Sequence, residues 1–160
     1  MARPWKIPYL NPDENLKVCL YRILRTRLLE TLSYERLTLQ GSDIEALHNM
    51  RISSRRLHAI MRLFSDCFPK KKFNRHSKKI QGLIRSLGAV RDLDIFIEIL
   101  ENHKQALPPH DQKIFDLLLA RQHHLRRQAR RNLVTIFKQL HKEGYEQQFL
   151  RFLAESLASD

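Results

Sequence analysis

The chain has 160 residues, 29 Lys plus Arg against 17 Asp plus Glu, a formal charge of +12 and a pI near 10.2. Hydrophobic residues make up 42 %, enough for one domain with a core that needs no staples. Four glycines argue against a Gly-rich phosphate loop and against an all-β design, and the charge points to a polyanionic partner.

Residues 1–12 contain three prolines and read as an extended arm, pinned by Trp5 and Tyr9, ahead of a single helical bundle over 13–160. There is no apolar stretch of signal-peptide or membrane-spanning length, so a cytoplasmic protein is expected. Pro12 opens a first helix over about 13–40, with Leu16, Leu20, Ile23, Leu24, Leu28 and Leu32 on its apolar side. Gly41 breaks it. Ser42 and Glu45 have capping-box spacing, and a second helix follows over about 43–67, stopped by Pro69. A third runs over about 73–104, with Ile80, Leu83, Ile84, Leu87 and Val90 on one face, and Gly88 implies close packing or a bend. Pro108 and Pro109 end it. A fourth covers about 110–142, with Phe115, Leu118, Leu119, Leu125, Ala129, Leu133, Ile136, Phe137 and Leu140 as its core stripe. Gly144 closes it, and a short fifth helix runs over about 145–158. The expected fold is all-α, an antiparallel four-helix bundle of long helices plus a short C-terminal helix. Cys19 and Cys67 sit in apolar patterns and read as buried free thiols.

The second helix carries two stripes. Leu47, Met50, Leu57, Ile60 and Met61 can enter a core, whereas His48, Arg51, Arg55 and Arg62 fall within about a quarter of the circumference on the other side. No acid lies between Leu47 and Met61, so these cations lack the i,i+4 partners that a solvated helix face usually has. The third helix repeats the arrangement with Arg75, Lys78, Lys79 and Arg85, and the fourth with Arg127, Arg130 and Arg131. Phosphate oxygens suit such surfaces, because Arg grips two oxygens with a planar fork and Lys supplies a mobile charge. His48 and the bordering His58 fit anion contact better than metal ligation, since neither a zinc-ligand spacing nor a His pair at i,i+4 occurs. Asp92 and Asp94 lie two apart and do not face one another, so they make no metal site alone. Arg91, Asp92 and Asp94 read either as an internal ion-pair network or as phosphate contact with supporting carboxylates.

His48-Asn-Met-Arg51, then Arg55-Arg56-Leu57, then Leu87-Gly88-Ala-Val90-Arg91-Asp92-Leu93-Asp94 resembles the CHAD family, the conserved histidine α-helical domains. The resemblance implies an all-α module that binds inorganic polyphosphate on a basic surface, without catalysis or a cofactor, and that associates with polyphosphate granules and triphosphate-tunnel enzymes. By position, His48, Arg51, Arg55 and Arg56 match its first motif, and Arg91, Asp92 and Asp94 its second. The helical wheels add Arg62, Lys78, Lys79, Arg85, Arg127 and Arg131 as candidate phosphate contacts. The family's usual domain has two related bundles, whereas this chain has the motifs once, so either a homodimer supplies the second half or one bundle suffices with an open surface. Nucleic acid is the competing ligand, disfavoured because most aromatics fall on core stripes.

Overall fold

A computed structural model describes residues 3–41 and 43–157. It contains six α-helices: α1 (Leu16–Ser33), α2 (Glu35–Gln40), α3 (Ile44–Leu63), α4 (Lys70–Gln105), α5 (Gln112–Lys142) and α6 (Tyr145–Leu157), with a 3-10 turn at Ser65–Cys67. No strand occurs among the described residues, and no helix is long and apolar enough to cross a membrane. The fold is all-α, as the periodicity implies.

The boundaries differ from the expected ones for local reasons. Asn15, three residues past Pro12, caps α1 by accepting from the Lys17 amide at 2.8 Å. The expected first helix divides at Tyr34. There Thr31 and Ser33 turn their hydroxyls back onto the carbonyls of Arg27 and Glu30, both at 2.8 Å, an arrangement that often bends helices. Gly41 ends α2 in the left-handed conformation, φ 75°. Asp43 caps α3, accepting from the amides of Glu45 and Ala46 at 2.9 and 3.1 Å, while the expected cap Ser42 lies outside the described residues. Lys70, Lys71 and Lys72 form the first turn of α4 directly after Pro69. The N-terminal arm is held by its backbone and not by its rings. The Trp5 amide donates to Glu30 at 3.2 Å, its carbonyl accepts from Arg27 at 2.8 Å, and the Tyr9 ring is 86 % exposed. Both cysteines are free, and half-buried rather than buried.

One core joins the body: Leu20, Leu24 and Leu28 from α1, Met50, Leu57 and Met61 from α3, Leu83 and Leu87 from α4, Leu133 and Phe137 from α5, and Phe149 and Leu153 from α6. α3 packs between α1 and α4, α5 packs along α4, and α6 closes against α1 and α5. At 36 residues α4 is about 54 Å long, and α3 at 20 residues about 30 Å, so the far halves of α4 and α5 outrun the body as a hairpin. This hairpin has its own small cluster of Ile97, Leu100, Leu119 and Phe115. Leu118 and Leu125, expected in the core stripe of α5, are exposed because no third helix reaches that far.

His76 sits in the body among aromatic rings, with its centroid 4.4 Å from that of Phe152 and 5.4 Å from that of Phe149. Burial first, then Lys79 and Arg75, lower its pKa to about 4. A histidine kept neutral by folding stabilises the native state above its unfolded pKa near 6.5, and that contribution is lost as pH falls toward 4. His76→Phe is therefore expected to flatten the acid limb, gaining up to about 1.4 kcal/mol per pH unit relative to wild type below pH ~6.5. Thermal melts of both proteins at pH 7 and pH 5 check this, and parallel losses in the two would refute it.

Candidate anion-binding groove

α3 and α4 run antiparallel, joined by a short connection, and their register is set by two contacts. His58 Nε2 lies 3.1 Å from both Ser77 Oγ and Gln81 Nε2. Farther along, Arg51 crosses α4 at Gly88, where an added Cβ would stand 3.6 Å from Arg51 Nε. That is an ordinary van der Waals distance, so the crossing would also admit a small side chain. The register brings Arg55 and Arg62 of α3 and Arg85 of α4 to one opening between the helices.

Between the helices runs a groove of about 480 Å³ lined by Arg55, His58, Ala59, Arg62, Gln81, Ile84 and Arg85. The apolar seam of α3 faces the core, which turns Arg55 and Arg62 outward to the groove's rim. Arg85 meets them from α4. No ion pair among the described residues involves Arg51, Arg55, Arg62, Lys78, Arg85 or Arg91. Arg51 and Arg91 are half-buried, each with a buried Nε that has no hydrogen-bond partner. His48 is half-buried with its Nδ1 in the same condition. Burial and then Arg62 lower the pKa of His58, which favours a neutral ring accepting from the Gln81 amide. The lining presents hydrogen-bond donors and no carboxylate, so it offers a bound anion contacts without local competition.

The structure separates the remaining candidates. Arg56 turns to the α1 side, 3.7 Å from the fully buried Glu30, which also pairs with Arg27. Lys79 points the opposite way from α3, pairs with Glu143 and stands 5.3 Å over the Tyr145 ring. Lys78 is exposed and is not among the residues that line the groove. Arg127 and Arg131 are exposed on the flank of α5 near Arg130, which turns in to bond the carbonyl of Leu39 at 3.0 Å, so neither lines the groove. Asp92 is exposed, and Asp94 is buried and pairs with Arg126. Sequence reasoning gave His58 only a bordering place and missed Gln81 and Ile84. The signal for His58 was present, since it lies three residues after Arg55 and four before Arg62 on the same helix face. Gln81 carried none, because its place depends on which helix packs against α3.

Among the described residues no group of three or more His, Cys, Asp or Glu is placed to hold a metal ion. No curated protein matches the chain in a sequence comparison. A family model for the CHAD domain matches residues 22–160, taking in both helices of the groove and the hairpin beyond it, and the chain belongs to the CHAD domain family.

Proposed function

We propose that this protein binds inorganic polyphosphate along the α3–α4 groove, as a binding module with no chemistry of its own. The observation that carries the reading is the row of arginines Arg55, Arg62 and Arg85, unpaired with any described acid and facing one another across a single channel, with Arg51 continuing the line. Membership of a family linked in general to polyphosphate supports the choice of polymer. Each guanidinium donates two parallel N–H groups, matching the paired non-bridging oxygens of successive phosphates. No Phe, Tyr or Trp lines the groove, and the one imidazole there, His58, is tied to Ser77 and Gln81, which favours phosphate over single-stranded nucleic acid, whose bases gain about 1–3 kcal/mol each from stacking. On this reading the protein acts at cytoplasmic polyphosphate granules, alongside triphosphate-tunnel enzymes.

The test is a titration with polyphosphates of increasing length and with single-stranded DNA, at equal phosphate concentration and several salt concentrations. Affinity is expected to rise with chain length through multivalency. It should fall with salt at a log–log slope of roughly 0.7 per phosphate neutralised, the value for a single-stranded polyanion. DNA that displaces polyphosphate on equal terms would sink the reading in favour of nucleic acid. Release of orthophosphate with Mg²⁺ or Mn²⁺ would sink the non-catalytic part.

A further inference from the structure

Between the first turns of α4 and the body of α6 lies a cavity of about 290 Å³, lined by Lys72, Arg75 and His76 of α4 and by Arg151, Phe152 and Glu155 of α6. It shares no residue with the α3–α4 groove, and His76 stands half a turn round α4 from Arg85, nine residues on. Its floor is aromatic. The His76 ring stacks on Phe152 with centroids 4.4 Å apart, and Phe149 meets it edge-on at 5.4 Å. His76 is 6 % exposed. Its Nδ1 is buried with no hydrogen-bond partner, and Nε2 makes no hydrogen bond either, so Nε2 is the nitrogen that the cavity reaches. The folded protein keeps this ring neutral, with one nitrogen protonated. A buried donor without a partner is rarer than a buried acceptor without one, which puts the proton on Nε2 as a donor facing the cavity.

The charges round this donor identify the occupant. Arg75 and Arg151 are exposed and make no hydrogen bond or ion pair among the described residues. Lys72 is held by Glu155 at 2.8 Å, and the nearby Glu143 is taken by Lys79. Three cations against one carboxylate leave the lining two positive charges in excess, which matches a dianion. A phosphate monoester carries about −1.5 to −2 at pH 7 and spreads it over three oxygens, enough for two guanidinium forks and one imidazole N–H. A carboxylate has two oxygens and a single charge. The cavity lies at the lower end of the ~300–1,000 Å³ range of ligand pockets, and the exposed Glu155 opposes a second phosphate beside the first. The space therefore suits a compact anion and not a long chain.

We infer that this cavity is a second anion site, which takes one compact phosphate group, orthophosphate or the phosphate of a small monoester, between Arg75 of α4 and Arg151 of α6 with His76 Nε2–H donating from the floor. The inference is independent of the polyphosphate reading, which concerns another side of α4.

The experiment is a nitrogen-15 NMR titration of the full chain, read at the His76 ring and at the Nε–H signals of Arg75 and Arg151. The probes are inorganic phosphate and, separately, phosphoserine, at pH 7 and at constant ionic strength set by chloride. Before any addition, His76 should show the neutral Nε2–H tautomer. Both probes should then shift all three signals to saturation, with a Kd of about 0.1–10 mM, the range for a few charge-assisted contacts partly open to water. Tighter orthophosphate marks free phosphate as the ligand and tighter phosphoserine a monoester, and either order supports the site. Arg75→Ala and Arg151→Ala should each weaken binding at least ~5-fold, and His76→Phe, which keeps the aromatic stack, at least ~3-fold. Arg127→Ala, at an exposed arginine on α5, should change it little. The groove reversal Arg55→Glu with Arg85→Glu should still bind phosphate at His76, which keeps the two proposals separable. Shifts that do not saturate overturn the inference, as does a His76 proton on Nδ1. So do equal losses from Arg127→Ala and Arg151→Ala, or polyphosphate that displaces either probe from His76 at equal phosphate concentration.

Discussion

Reversing Arg55 and Arg85 together to Glu is expected to reduce polyphosphate affinity by about 2–4 kcal/mol, roughly 30- to 1000-fold. Each arginine is exposed, has no ion-pair partner among the described residues, and lines the groove from opposite helices. Their removal should therefore cost the fold almost nothing while deleting one charge-assisted contact each and placing a carboxylate in the path of the anion. Because the exposed contacts are partly screened, repulsion supplies much of the loss, and the salt slope should fall by roughly 1.4, two phosphates' worth. Lys142→Glu makes the decisive control. It removes the same kind of charge from the last turn of α5, outside the groove lining. If binding depends on a localised channel, this change weakens it little. Equal losses from Lys142→Glu and from either groove reversal would show that the +12 field alone attracts the polymer, and the groove would lose its assignment.

What the sequence revealed, and what it hid, follows from the range of the forces involved. Helix existence was legible throughout, because apolar periodicity reports burial one turn at a time. The break at Tyr34 was not, since the hydroxyl-to-carbonyl bonds of Thr31 and Ser33 beside it also occur at Ser53, Ser54 and Thr135 within unbroken helices, and composition there does not mark a stop. The stripe of Arg51, Arg55 and Arg62 was legible as a property of α3 alone. Its use was not, because a helical wheel says which residues share a face and nothing about what covers that face. Arg55 and Arg56 are adjacent in sequence and about 100° apart around the helix, so one meets the groove and the other Glu30. Lys78 and Lys79 also divide, Lys78 staying exposed and Lys79 meeting Glu143 from 64 positions along the chain. On α5 the outcome inverts the simple expectation. Arg130, placed away from the core by its wheel, turns inward to α2 carbonyls, while Arg127 and Arg131 stay in solvent. The overextended apolar stripe of α5 has the same origin. Periodicity marks Leu118 and Leu125 as core positions, and only the length of the neighbouring helices reveals that no described helix reaches them.

Asp94→Ala is expected to be the most damaging single change in the second motif, at about 3 kcal/mol of stability, whereas Asp92→Ala should stay within about 0.5 kcal/mol. Asp94 is 7 % exposed and accepts from Arg126 Nε across the α4–α5 contact. Arg130 lies alongside, its pKa pushed down by burial first and then by Arg126, with Asp94 the charge that opposes the shift. Removing the carboxylate leaves two crowded guanidiniums that share no compensating charge, the condition in which breaking a buried pair costs most. The lower end of that range applies because the Arg126 side chain retains 24 % exposure and can reach water. For a chain of this size the melting temperature should drop by about 6–12 °C. Polyphosphate affinity, measured well below that melt, should be unchanged, because Asp94 faces α5 and the groove lies on the α3 side of α4. Asp94→Asn keeps a hydrogen-bond acceptor for Arg126 and should recover part of the loss. The double change Asp94→Leu with Arg126→Met should recover more, because it replaces the pair by apolar volume and leaves only Arg130 to be satisfied by the Thr38 and Leu39 carbonyls that already hold it. A stable Asp94→Ala protein with weakened polyphosphate binding would reverse the assignment, making this carboxylate part of the binding site instead of the strut that holds α5 to α4.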